Sequence, residues 1–391
     1  MKNAGLSNEI VLSLFSIKIL AGLFVGWVSL KYMPSGDYWG LNKESLLEWE
    51  MLVKDPKNFF TDILFNPYHH YGGFFGSVGS YWNDLKNNIL IKILAVLNNF
   101  SQGNYYINSL FLNFFCFLGH IALYKIFISI FPTKKWLIII GCFLLPSTLF
   151  FSSAIHKDLI VFTATAFFSY AMFFLNKKSN KKIQIAILIL SAITLLFIRN
   201  YIFLVLVPIS IGFYFSNKFP NKTFKIYFMV FGILTSAVSF IHFLLPAYSP
   251  LLIISKKQFD FLQLPCANTE LNMQILKPTF LDLFKNLPTA LNHVFLKPSV
   301  FDRGNYFFSI SKIELIIYQI AFLIYLCWFF IKSKKDPFFY YCILLVFFVF
   351  LIIGYTIPNT GSIVRYRSLF FPYIITYLIC TISRKDKQIN L

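Results

Sequence analysis

Two stretches of this chain gather titratable side chains where a reaction could use them. In Pro146-Ser-Thr-Leu-Phe-Phe-Ser-Ser-Ala-Ile-His156-Lys157-Asp158, an imidazole, an ammonium and a carboxylate are consecutive. They sit between two apolar segments with almost no loop to separate them. Ionisable groups at membrane depth are expensive and usually face a cavity or one another. His156, Lys157 and Asp158 are therefore candidate catalytic residues; a Lys157–Asp158 pair that marks a tight turn is the plainer alternative. The second stretch, Ile357-Pro-Asn-Thr-Gly-Ser-Ile-Val-Arg365-Tyr-Arg367, enters the last apolar segment. Its proline and glycine are expected to break the helix and free backbone donors while Arg365 and Arg367 project from its start. That would make an anion site; snorkelling toward headgroups is the competing explanation.

Arginine usage adds weight to the second stretch. The chain has five arginines against thirty lysines. Hydropathy places Arg199, Arg303, Arg365 and Arg367 on one side of a membrane and only Arg384 on the other, where lysine supplies nearly all the charge. In a lysine-rich background a retained arginine marks a place for its planar fork, which can hold a phosphate or carboxylate at two points. Arg199, before Asn200 in a minimal outer turn, joins the same candidate anion site.

Two further clusters lie between apolar segments. Pro34-Ser-Gly-Asp37-Tyr-Trp-Gly40 puts a carboxylate among turn formers and aromatics at the membrane surface. Asp37 there is a candidate general base, or else a loop aspartate or the cap of a following helix. The run from Asn66 to Trp82 carries His69, His70, four glycines and several aromatics, with Tyr81 and Trp82 at its end. Glycines let backbone approach a ligand and aromatics offer flat faces to sugar rings, so His69, His70, Tyr81 and Trp82 are candidate substrate contacts. A turn-rich interfacial loop accounts for them equally well. Adjacent histidines with no third ligand, and Glu48 and Glu50 in an amphipathic stretch, do not indicate a metal site, and no cofactor is implied.

Composition fixes what must position these groups. The chain is 391 residues long, 57% hydrophobic and 13% charged, with 50 Phe and a mean hydropathy of +0.66. This predicts an all-α polytopic membrane protein. The net charge of +19 does not point to nucleic acid, because the bases cluster in short loops as the positive-inside rule expects. Ten helices are expected, at about 9–30, 105–131, 136–154, 159–175, 182–198, 201–216, 225–246, 313–331, 337–354 and 367–382. Alternating sides then places Lys134, Lys135, Lys177, Lys178, Lys218, Lys222, Lys332 and Arg384 inside with only Glu9, Asp336 and Asp386 as acids, and both termini in the cytoplasm. Segments 31–104 and 247–312 fall outside. In the first, Trp82, Leu85, Ile89, Ile93 and Val96 recur at helical spacing, as in a helix lying on the bilayer; Phe280 to Leu287, between Pro278 and Pro288, is a second such stretch. One integral membrane domain over residues 1–391 is expected, with no internal repeat. Five of the six cysteines lie in apolar segments and Cys266 is alone, so no disulfide framework is implied.

The run from Pro146 to Asp158 resembles a motif of bacterial polytopic glycosyltransferases and polysaccharide polymerases with GT-C type architecture. The run from Pro358 to Arg367 is similar to their late outer-loop motif, and Asp37 stands where such enzymes carry a catalytic aspartate. The resemblance implies transfer of a sugar from a polyprenyl-phosphate-linked donor to a glycan acceptor, on the outer side of the bacterial cytoplasmic membrane. It implies Asp37 as base, Arg365, Arg367 and Lys157 as phosphate holders, and His156 as an orienting or protonating group. The chain departs from the pattern in having no Asp-x-Asp motif near the first helix, which leaves a divalent ion unsupported. Rivals are an O-antigen or exopolysaccharide polymerase, a glycolipid transporter or flippase, and a non-catalytic scaffold.

Overall fold

The computed structural model describes residues 5–32, 37–65, 81–175, 180–264, 269–302, 306–329 and 336–383. Among these the secondary structure is helical, with one isolated antiparallel bridge, Glu270 to Asn359, and no strand. The helices are α1 (Asn8–Tyr32), α2 (Asp37–Lys54), α3 (Pro56–Phe65), α4 (Tyr81–Ser101), α5 (Tyr105–Ile130), α6 (Lys135–Phe143), α7 (Pro146–Phe151) and α8 (Lys157–Leu175). There follow α9 (Lys181–Lys218), α10 (Thr223–Leu244), α11 (Pro250–Leu262), α12 (Phe280–Phe295), α13 (Tyr306–Ile324), α14 (Pro337–Thr356), α15 (Thr360–Ser368) and α16 (Phe371–Ile382).

Among the described residues, seven helices are long and apolar enough to cross a membrane, or eight if α15 and α16, bent by 64°, form one span. By length and composition this is a multi-pass membrane protein. Differences from the expected helices have local causes. The stretch expected as one helix over 136–154 forms α6 and α7, broken ahead of Pro146, which lacks an N–H and disfavours helical backbone in the residue before it. The two helices expected over 182–198 and 201–216 are both present within the range of α9, divided at Arg199, where the backbone leaves helical geometry (φ −143°, ψ 72°). Pro288, expected to end a helix, lies within α12.

The chain divides into two compact units. The first comprises Met1–Ile126, Thr148–Ala171 and Lys182–Asn200; the second comprises Phe127–Ser147, Met172–Lys181 and Tyr201–Leu391.

In the first unit α2 and α4 pair through a polar seam. Lys92 Nζ lies 2.8 Å from Glu48 Oε2 and 2.7 Å from Asp62 Oδ1 and donates to the Phe59 carbonyl at 2.6 Å. Asn98 donates to the Ser45 hydroxyl at 3.0 Å, and Asn108 to both Asn42 Oδ1 and Asn98 Oδ1. Of the apolar stripe read from the sequence of α4, Leu85 is buried and Ile93 and Val96 are exposed, while Leu90, Ile91, Leu94 and Ala95 are buried beside Lys92 and Asn98. Gly103, at φ +79°, turns the chain from α4 into α5.

In the second unit close backbone approaches set the packing. A Cβ on Gly141 would collide with Thr376, and one on Gly354 with the Ala290 carbonyl, so α6 meets α16 and α14 meets α12 at glycine. Lys134 Nζ donates to the Cys380 and Ser383 carbonyls at the end of α16. Asp336 caps α14 through Phe338 N and Phe339 N and accepts from Tyr377 Oη at 2.7 Å.

Candidate functional site

The first unit assembles most of the sequence-selected residues. Between α7 and α8 the chain leaves helical geometry for Ser152 to His156, and these residues are fully or almost fully buried. His156 ends this turn and Lys157 and Asp158 open α8. The His156 ring is buried, with Nδ1 2.9 Å from Asp158 Oδ2 and Nε2 3.6 Å from Asp37 Oδ2. Asp158 is itself buried, and its other oxygen lies 2.7 Å from Arg199 Nη2. Tyr38 meets the imidazole edge-on at 5.7 Å. The result is a line of alternating groups: Asp37, His156, Asp158, Arg199.

Physical roles follow from that order. Nδ1 accepts from the Asp158 backbone N–H at 3.3 Å and lies beside the Asp158 carboxylate, so the start of α8 holds the ring on this side. This leaves Nε2 facing Asp37, whose side chain is 65% exposed and so open to an incoming group. The Asp37–His156 separation is beyond hydrogen-bond length, as catalytic pairs often are before ligand arrives. Asp37 starts α2, where the helix dipole favours an anion. Glu44, two turns on, feels it: burial and then the Asp37 charge raise the Glu44 carboxyl above its ordinary range. Lys157 Nζ donates to Asn87 Oδ1 of α4 at 2.6 Å.

Arg199 departs from its expected place. It was read as part of the phosphate-holding set, whereas in the structure it backs Asp158. The break in α9 at Arg199 is where this side chain leaves the helix to do so.

Arg365 and Arg367 belong to the second unit. Arg365 is half-buried; it lies over the Tyr366 ring and donates to its hydroxyl at 3.0 Å. Arg367 is buried, and its Nη1 donates to the Val294 carbonyl at 2.7 Å and to that of Lys297. The fork of Arg367 thus ties α15 to the end of α12, a structural task in place of the expected grip on phosphate. The backbone donors that the Pro358–Gly361 break was expected to free are also engaged. Thr360 N and Gly361 N bond the carbonyl and hydroxyl of Thr269, and Ser362 N and Ile363 N bond the side chain and carbonyl of Asn359. The short strap at 269–271 completes the cap.

No match to this chain emerges from comparison with protein-family models, curated proteins or solved structures.

Function therefore rests on the geometry alone. His69, His70, Arg303, Arg384 and Cys266 lie outside the described residues, and Tyr81 and Trp82 are described only as backbone in α4. Among the described residues no group of three His, Cys, Asp or Glu side chains is placed to hold a metal ion. Glu48 is buried against Lys92 and Glu50 pairs with Lys54 at 3.2 Å, so the two do not converge. Several polar groups escaped the sequence reading. Lys18 and His120 lie inside spans in the first unit, and Glu314 in the second, where it accepts from Ser147 N and from Tyr318 Oη at 2.5 Å. Each is a polar group within an apolar span, a setting in which such a residue has a partner or a role.

Proposed function

We propose that this chain is a glycosyltransferase of GT-C type that moves a sugar from a polyprenyl-phosphate-linked donor to a lipid-linked or surface glycan acceptor. The observation that carries this reading is His156 set between exposed Asp37 and buried Asp158, with Arg199 behind. An exposed carboxylate beside an oriented imidazole suits removal of a proton from an acceptor hydroxyl. Asp37 takes that proton as the hydroxyl oxygen bonds the sugar's anomeric carbon, and the bond from that carbon to the phosphate oxygen breaks. Lys157 offers a cation to the departing phosphate.

On this reading the site faces the outer side of the bacterial cytoplasmic membrane and both termini are cytoplasmic. Ten passes result if α9 counts as two at Arg199 and α6–α7 as a broken one, with α2–α4 and α11–α12 as interfacial outer helices. The protein would work in the bilayer, with the polyprenyl-linked sugar and the glycan acceptor as its partners.

The test is reconstitution with labelled polyprenyl-linked sugars, scoring transfer to lipid acceptors. The wild type should transfer label, and Asp37→Asn and His156→Gln should each lose about 100-fold or more, within the usual range for acid–base groups. Transfer unchanged in both variants removes the proposal.

A further inference from the structure

The turn that presents His156 is irregular backbone among membrane-spanning helices, a setting tolerated only where protein satisfies its polar groups. Two side chains from neighbouring spans do so. Lys18 of α1 donates to both polar oxygens of Ser152, the carbonyl at 2.8 Å and the hydroxyl at 2.6 Å. Asn113 of α5 donates to the Ser153 carbonyl at 3.0 Å. His120, two turns further along α5, lies 3.4 Å from the Ser152 hydroxyl. Ser152 and Ser153 are fully buried, as is Asn113.

The seam is periodic on both helices. Lys18, Gly22 and Gly26 fall at four-residue steps on the buried face of α1, and Asn113, Cys116 and His120 fall three and four residues apart on α5. Gly22 lets the helices close: a Cβ there would lie 2.6 Å from Asn113 Nδ2 and 2.8 Å from Ser109 Oγ. A lysine about ten residues into an apolar helix is costly. Among the described residues, no carboxylate lies within ion-pair distance of it. A serine or asparagine would satisfy one carbonyl more cheaply. What the long side chain of Lys18 adds is reach, since it clamps both oxygens of one residue from a separate helix.

We propose that Lys18 and Asn113 are positioning residues for the His156 site. By holding Ser152 and Ser153, they fix the turn whose end sets the imidazole between Asp37 and Asp158. The transfer assay for them rests on the glycosyltransferase reading, whereas the spectroscopic test does not.

The experiment uses the full chain in nanodiscs with 15N-labelled histidine. The chain has six histidines, and His156→Gln assigns the one of interest. In Lys18→Met and in Asn113→Leu, the His156 ring nitrogen shifts should change while those of His242 and His293 stay put. Transfer should fall about 10- to 100-fold in kcat with KM within about twofold, the pattern of a misplaced group. Asn113→Ser, which stays polar but is too short to reach the carbonyl, decides by the same signal should either of the first two fail to fold. A His156 signal identical to wild type in the folded variants overturns the proposal. A wild type with no transfer but a variant-sensitive His156 would sink the transferase reading and leave the positioning role standing.

Discussion

His156 Nδ1 and Asp158 Oδ2 lie 2.9 Å apart inside the first unit, while the second oxygen of Asp158 meets Arg199. The imidazole is thus held from its buried side, and its other nitrogen is turned toward Asp37. Asp158→Asn keeps the shape and the backbone donor to Nδ1 but removes the charge that stands beside it. Transfer should drop about 10- to 100-fold, the usual cost of losing an orienting partner, and the His156 ring signals seen by 15N NMR should shift. Unshifted ring signals would break the assigned order of roles.

Arg365 and Arg367 should differ in what they hold. Arg367→Lys loses the guanidinium that joins the Val294 and Lys297 carbonyls. It should destabilise by about 1–3 kcal/mol, the cost of leaving buried polar groups unpaired, visible as a lower melting temperature in detergent. Arg365→Lys keeps a cation over the Tyr366 ring and should leave melting unchanged. Equal melting losses in the two variants would contradict the division.

Much of the fold was legible because apolar runs and lysine clusters are statements about single segments. The site was legible in part. Asp37, His156 and Asp158 stood out one by one, but the link from Asp158 to Arg199 spans 41 residues, and nothing local to either encodes it. The start of α15 misled for a similar reason. The helix does break around Pro358, between α14 and α15, yet Thr269, far back in the chain, supplies acceptors for the first amides of α15. Lys18 and His120 went unseen because averaging over a span hides one polar residue among twenty apolar ones.

The cap on α15 gives a local test. Thr269→Val keeps the carbonyl bonded to Thr360 N and removes the hydroxyl bonded to Gly361 N. Loss of one such cap should cost about 1 kcal/mol. Hydrogen exchange at residues 360–362 should quicken about fivefold, the Boltzmann factor for that energy. No change in exchange there would mean that the strap does not hold this helix end.

Glu44 and Asp37 provide the pH dependence. The Glu44 carboxyl is raised first by burial and second by Asp37, so the folded protein holds that proton more tightly than the unfolded chain does. The contribution to stability is present while Glu44 is protonated and is lost as pH rises through its folded range, above the ordinary value of about 4.3. Asp37→Asn removes the second cause, so the Glu44 carboxyl should titrate at lower pH by 13C NMR. The fall in melting temperature as pH rises above the ordinary glutamate range should shrink with it. A Glu44 titration that does not move would show that the two carboxylates do not share a face of α2.

Lys92 carries the last test, because it holds together the helices on which Asp37 rides. Its ammonium answers Glu48 of α2 and Asp62 of α3, and it bonds the Phe59 carbonyl from α4. Lys92→Met leaves two carboxylates buried without their cation and should destabilise by about 3–5 kcal/mol, the range for breaking a buried pair. Removing the charges together should be far milder: the triple variant Lys92→Met, Glu48→Gln, Asp62→Asn should recover most of the lost melting temperature, since the penalty arises from unpaired charge and not from lost attraction. Because α2 begins at Asp37, the single variant should also weaken transfer, and the triple variant should restore it. A triple variant as unstable as the single one would show that the seam depends on geometry that only Lys92 supplies.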